Sequence, residues 1–320
     1  MRVYILLQFG CVLMFVMLIA GNALAAETPP GFAPGQRVLL DAHNCYPYNG
    51  LWADRVDRAL AVGPPVGIEN DLAWFTDPGT KKSWGIVAHG EPYTGKEPTL
   101  KNYFFEKVRP LVEKALKDGN TKDWPLITLN INDLRADDIG LFNEVWELMG
   151  EFESWLCTAA KTDDVNQISS IDVKPVLVLT SDGDKQAKVF YDQIPVGGKL
   201  RLFALGDPKK KADNFRRWLN YAWHAVEPKG QPKAGEWTPE AGARLTKIVD
   251  EGHAQGYWVR FYTLNGHSSA MVAAQGWSPS YNFGSLDAVK IRWKAAIDAG
   301  VDFIATDQFE EFVPLLRAGK

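Results

Sequence analysis

The sequence predicts an α/β fold, a TIM-type (β/α)8 barrel whose sixth strand is the one irregular element. Strand-like and helix-like segments alternate from residue 37 almost to the end, and that order calls for a parallel sheet with right-handed crossovers. The chain is long enough for one barrel of roughly 250 residues. Its 46% hydrophobic and 23% charged residues are those of an ordinary globular protein.

Each element has a local signature. RVLLDAHN at 37–44 opens with a strand, and WADRVDRALAV at 52–62 places Trp52, Val56, Ala59 and Leu60 on one helical face. VGIENDLAW at 66–74 reads as the second strand, followed by a short hairpin carrying GIVAHG at 85–90 and a long helix within 100–118. WPLITLNIND at 124–133 is the third strand, and LFNEVWELMGEFESWL at 141–156 is amphipathic at helical spacing. KPVLVLTS at 174–181, KLRLFAL at 199–205, WVRFYTL at 258–264 and VDFIATD at 301–307 are further strands, with helices near 185–193, 239–255, 286–299 and 309–317. Closure needs an eighth strand. RRWLNYAWHAV at 216–226 is the candidate, although its aromatic and basic content suits a helix equally well. The Gly, Pro and Lys-rich stretch 227–235 reads as a loop, not a linker, so residues 26–320 form a single domain.

The N-terminus is read separately. Arg2, the apolar run at 4–21 and the small residues ALA at 23–25 together make residues 1–25 a secretory signal, cleaved after Ala25 or Ala26. The expected location is secreted or periplasmic; an uncleaved membrane anchor is the alternative, because the run is nearly long enough to span. A net charge of −4 argues against a nucleic-acid partner. Cys45 and Cys157 are the cysteines beyond the signal. An oxidising compartment permits a bond between them. A nucleophilic Cys45 is disfavoured, since small buried thiols far outnumber reactive ones.

Chemistry concentrates in His43, Glu69, Asp71 and His89. Glu69 and Asp71 lie two apart in an extended run and project from one strand face, where two hard oxygen ligands suit a divalent cation, Mg²⁺ or Ca²⁺. His43 and His89, ending flanking strands, suit a proton donor and acceptor on either side of a phosphate. Each alone would be an ordinary hydrogen-bonded residue. Together they fall where barrel enzymes carry active-site residues, just after a strand. On the strand at 258–264, Arg260 and Tyr262 share a face, and Arg260 is a candidate bidentate phosphate ligand; the ordinary alternative is an exposed or ion-paired arginine. Loop histidines such as His267 are more often inert. Among 12 Trp and 16 Phe, some suit the floor of a lipid head-group pocket and peripheral contact with a membrane.

These motifs resemble the phospholipase-C-like phosphodiesterase superfamily, most of all its glycerophosphodiester phosphodiesterase branch. The resemblance rests on His43 in LLDAHN, Glu69 and Asp71 in IEND, His89 in IVAHG, YTLN at 262–265 and GVDFIATDQFEEF at 300–312. It implies that His43 and His89 are catalytic and that Glu69 and Asp71 hold a metal. Two departures bear on the ligand set. Asn44 stands where that branch usually has Arg, and AHNCY instead resembles the His-Asn pair of phosphoinositide-type phospholipases C, which makes Asn44 a neutral ligand. The third strand offers Asn132 in place of the usual carboxylate, with Asp133 one residue out of phase. The expectation is an exported, metal-dependent phosphodiesterase acting on a small-molecule or lipid-derived phosphodiester, a glycerophosphodiester or phospholipid head group. A catalytically silent barrel that binds phosphorylated ligands and a glycoside hydrolase are the alternatives.

Overall fold

Eight parallel strands close a barrel in chain order: Leu39–Ala42, Val66–Glu69, Ile127–Ile131, Val176–Thr180, Phe203–Leu205, Arg216–Ala222, Trp258–Tyr262 and Phe303–Thr306. The eighth returns to the first in the register Leu39↔Phe303 to Ala42↔Thr306. The computed structural model describes residues 32–48 and 50–318, so the signal segment at 1–25 lies outside the described residues. No helix among the described residues is long and apolar enough to cross a membrane.

Strand parity decides what each side chain meets. Outward residues such as Leu40, Ile68, Leu129, Val178, Val259 and Ile304 pack in one cluster with Val56, Val112, Phe142, Leu245, Trp293 and Phe312 of the surrounding helices. Inward residues Leu39, Leu177, Leu179, Phe203, Trp218, Trp258 and Phe303 form a second cluster, joined by Phe32. Two residues further along the same inward columns, the composition turns polar: Leu39 gives way to Asp41 and His43, Thr128 to Asn130 and Asn132, and Trp258 to Arg260 and Tyr262. The barrel is therefore apolar inside at its N-terminal end and charged towards its C-terminal mouth.

The irregularity falls between the fifth and sixth strands, which are joined by a loop at 206–215 with no helix and shift register between Ala204 and Leu205. The segment 216–226 is a strand over Arg216–Ala222 and then one 3₁₀ turn, Trp223–Ala225. KLRLFAL is not one strand. Lys199–Leu200 pairs with Thr158–Ala160 in a side sheet and only Phe203–Leu205 enters the barrel, because Arg201 turns out to Glu153 at 2.8 Å. Cys45 and Cys157 are both free and buried, so no bond joins them.

Arg260 lies wholly inside the barrel, 1% exposed. Its Nε donates to Asp41, its Nη2 to Glu69 Oε1 at 3.0 Å and its Nη1 to Asn220 Oδ1 at 3.0 Å. This corrects its expected role as a phosphate ligand, because the guanidinium is committed beneath the site. Gly67 makes room for the arrangement, since a Cβ there would collide with the Asp41 carboxylate. Arg260→Met should lower the unfolding free energy by about 3–5 kcal/mol, read from the denaturant midpoint, because it strands two buried carboxylates. An unchanged midpoint would show that Asp41 and Glu69 do not depend on this counter-charge.

Candidate active site

The polar mouth of the barrel is assembled from strand ends. His43 follows the first strand and is 4% exposed. Its Nε2 lies 3.4 Å from Glu69 Oε2 and its Nδ1 3.5 Å from Asp307 Oδ2, so the ring is held between carboxylates from the second and eighth strand ends. Burial pulls the His43 pKa down, but Glu69 and Asp307 outweigh it and the net shift is upward. Burial likewise opposes ionisation of Asp307, yet Arg55 and His43 hold its carboxyl well below the usual range.

Asn44 ties these groups together. Its backbone adopts φ 56°, a left-handed conformation that Asn tolerates, and its N–H donates to Glu69 Oε2 at 3.0 Å. Its Nδ2 donates to Asp307 Oδ1 at 2.9 Å, and its Oδ1 accepts from the Tyr46 hydroxyl at 2.5 Å. Tyr46 in turn lies 3.0 Å from His89 Nδ1 and stacks on that ring, centroids 5.2 Å apart.

The hairpin Leu72–Thr76/Ser83–Val87 brings His89 back to Asp71. Its register pairs Leu72 with Val87, the Ala88 N–H donates to the Asp71 carbonyl at 3.1 Å, and His89 Nδ1 reaches Asp71 Oδ2 at 2.6 Å. Arg135, from the loop after the third strand, donates to Asp71 Oδ2 at 2.9 Å and pairs with Asp133 at 2.6 Å. The two histidines thus share one mouth but differ in setting: His43 is enclosed, while the His89 side chain is 39% exposed. A cavity of about 300 Å³ beside His89 is lined by Asn44, Tyr46, His89, Trp277, Tyr281 and Asp307 among others. Tyr262 and Tyr281 lie against His43, ring centroids 6.3 and 6.0 Å away.

The residues that could hold a cation are oxygen-rich. Ligand atoms of Asp71, His89 and Asp133 lie within 4.8 Å of one another. Glu69 is not in that group; its oxygens face Arg260, His43 and the Asn44 N–H. Asn132 Oδ1 is buried without a hydrogen-bond partner, and burial with the nearby Asp71 charge pushes the Asp133 carboxyl up to about 6. An orphaned amide oxygen beside surplus negative charge fits a hard divalent ion.

The strand-end pattern thus located His43, Glu69, Asp71 and His89, all of which meet at the mouth. It overlooked Asp307, Tyr46, Arg55 and Arg135. Asp307 had a signal: it follows the eighth strand at the same offset as His43 follows the first. Arg135 sits in an irregular loop and had none. Cys45 is buried with its thiol donating to the Ala42 carbonyl at 3.3 Å, and burial pushes its pKa upward, so it is not poised for attack. His267 is buried, stacked on Trp277 at 4.6 Å, with both ring nitrogens unpartnered.

No protein-family model matches the chain, and no curated protein does. Solved structures do. A phosphatidylinositol-specific phospholipase C from Listeria monocytogenes superposes with a TM-score of 0.52 at 12% identity, covering 92% of this chain and 97% of its own. A glycerophosphoryl diester phosphodiesterase from Parabacteroides distasonis gives 0.40 at 13% identity, with coverage of 88% and 87%. A GH5 endo-β-1,4-glucanase from Bacillus licheniformis gives 0.37 at 9% identity, with 90% and 59%. The first likeness spans nearly the full length of both chains and shows that they share a fold, which in this chain is a closed barrel.

Proposed function

We propose that the chain is an exported, metal-dependent phosphodiesterase that hydrolyses a glycerophosphodiester or a phospholipid head-group phosphodiester. The observation that carries this reading is the pair of carboxylate-anchored imidazoles at one mouth, His43 on Asp307 and Glu69, and His89 on Asp71. A glycosidase would instead need two carboxyl groups facing each other across a sugar. Here the buried carboxylates are engaged with histidines and arginines.

The roles follow from the settings. With Nδ1 facing Asp307, His43 accepts the nucleophile's proton at Nε2; with Nδ1 on Asp71, the more exposed His89 delivers a proton from Nε2 to the leaving oxygen. Tyr46 and Asn44 hold the spacing between the two rings. Asp71, Asp133, Asn132 and Asn44 are the groups that would hold Mg²⁺ or Ca²⁺, while Glu69, expected among them, has both oxygens engaged by Arg260, the Asn44 N–H and His43. When bound, such an ion neutralises the phosphate oxygens and lowers the barrier to attack. Tyr262 and Tyr281 present ring faces beside His43 to the substrate's organic part. Export rests on residues 1–25, and membrane contact on the aromatic mouth. A second reading is favoured by Arg135, whose guanidinium already spans Asp71 and Asp133 and could supply positive charge without a metal.

Replacing either histidine with Ala should slow turnover at least ~10²-fold, as expected for a positioned acid or base. A nitrophenyl phosphodiester, whose leaving group needs little protonation, should restore rate to His89→Ala and not to His43→Ala. Full activity in both variants would make the histidines structural and favour the silent barrel.

The pH profile of kcat/KM gives an independent check. His43 must be neutral to accept a proton, and its pKa lies above the ordinary 6.5, so the rate should fall as pH drops through that raised value. Asp307→Asn removes a carboxylate that raises it, which moves the acid limb to lower pH while reducing the maximal rate. An acid limb that stays in place would separate Asp307 from the proton acceptor.

Asn132→Asp should tighten Mg²⁺ and Ca²⁺ binding in calorimetric titration, because it adds a charge where an amide oxygen stands unpartnered. Unchanged affinity for both ions would place the metal elsewhere.

A further inference from the structure

Arg55 opens the first helix, Arg55–Ala61, yet it is fully buried. Its Nη2 donates to Asp307 Oδ1 at 2.6 Å and to the His43 main-chain carbonyl at 2.7 Å. Its Nε and Nη1 have no hydrogen-bond partner. Instead the guanidinium lies among three aromatic rings, 5.1 Å from the centroid of Trp52, 4.8 Å from Trp277 and 4.9 Å from Phe309. Trp52 and Trp277 are themselves stacked, centroids 4.5 Å apart. Arg55 does not line the catalytic cavity.

This arrangement solves a problem of the dyad. A carboxylate as buried as Asp307 either finds a cation or takes up a proton. Arg55 is the nearer cation: its Nη2 lies 2.6 Å from Asp307 Oδ1, against 3.5 Å for His43 Nδ1 from Asp307 Oδ2. Guanidinium stays charged at every working pH. Ring faces offset part of its desolvation while leaving it no competing acceptor. The bond to the His43 carbonyl then fixes where that charge sits relative to the imidazole.

We propose that Arg55 is a positioning residue, an aromatic-caged clamp that holds the Asp307 carboxylate against His43 without touching substrate. The inference rests on the reading of His43 as the proton acceptor. Lys would keep the charge but not the planar ion that lies among the rings while bonding two oxygens.

The test compares wild type, Arg55→Ala and Arg55→Lys on a phosphodiester substrate, with guanidinium chloride added well below denaturing concentration. Arg55→Ala should lose kcat by about 10²-fold with KM nearly unchanged. Guanidinium should restore at least a tenth of the lost rate saturably, whereas urea, of similar shape but uncharged, should not. Saturable quenching of tryptophan fluorescence in Arg55→Ala, absent in wild type, should report the ion between Trp52 and Trp277. If Arg55→Ala fails to fold, Arg55→Lys decides: it should lose kcat with KM and far-ultraviolet circular dichroism unchanged. Turnover within about twofold of wild type in either variant, or equal rescue by urea, overturns the proposal alone. A wild-type chain inactive on every phosphodiester ends the enzyme reading and this inference with it.

Discussion

Buried charge must be paired, and the closed barrel satisfies that constraint through Glu69. One oxygen accepts from Arg260 deep in the barrel; the other accepts from the Asn44 N–H and faces His43 at the mouth. Burial opposes its ionisation, but His43, Arg260 and the Asn44 N–H hold its pKa below the usual value. The interior network Asp41–Arg260–Glu69 is therefore continuous with the polar layer at the mouth. A carboxylate in that position sets His43's orientation only as long as Arg260 sets its own.

Linkage follows from the same pairs. Glu69 and Asp307 have depressed pKa values, so their contribution to stability is present above the unfolded carboxylate range and is lost as pH falls through the lowered values. His43 has a raised pKa, so the stability its charged form contributes is complete below about 6.5 and is lost as pH rises through the raised value. In the pH range where His43 is neutral, the His43–Asp307 pair is bound less strongly than below it. The permanent charge of Arg55 is what remains on Asp307 in that range.

Most of the fold was legible because its parity is regular. Alternation put Glu69 and Asp71 on one strand face and Arg260 and Tyr262 on another, and strand ends marked His43 and His89. What alternation cannot give is depth: Arg260 and Tyr262 share a face, but one lies beneath the site and the other beside it. Nothing in the sequence singled out Arg55, because one-dimensional periodicity does not show Trp277 and Phe309 arriving from distant segments. Arg135 and the helix-free connection at 206–215 are irregular backbone, where no period exists to be read. The ambiguity of 216–226 was resolved by closure, since the fifth and seventh strands need a partner between them.

Arg135 occupies the acidic corner of the mouth. Arg135 and a divalent ion would both neutralise Asp71 and Asp133; burial first, and the Asp71 charge second, push the Asp133 carboxyl upward despite the guanidinium. Phosphorus nuclear magnetic resonance of the full chain with a panel of glycerophosphodiesters and phospholipid head-group diesters, before and after chelation, tests the central claim most directly. The account predicts that a diester signal is converted to a monoester or cyclic phosphate, that chelation abolishes the conversion, and that Mg²⁺ or Ca²⁺ restores it. An unchanged diester signal across the panel with metal present would contradict it.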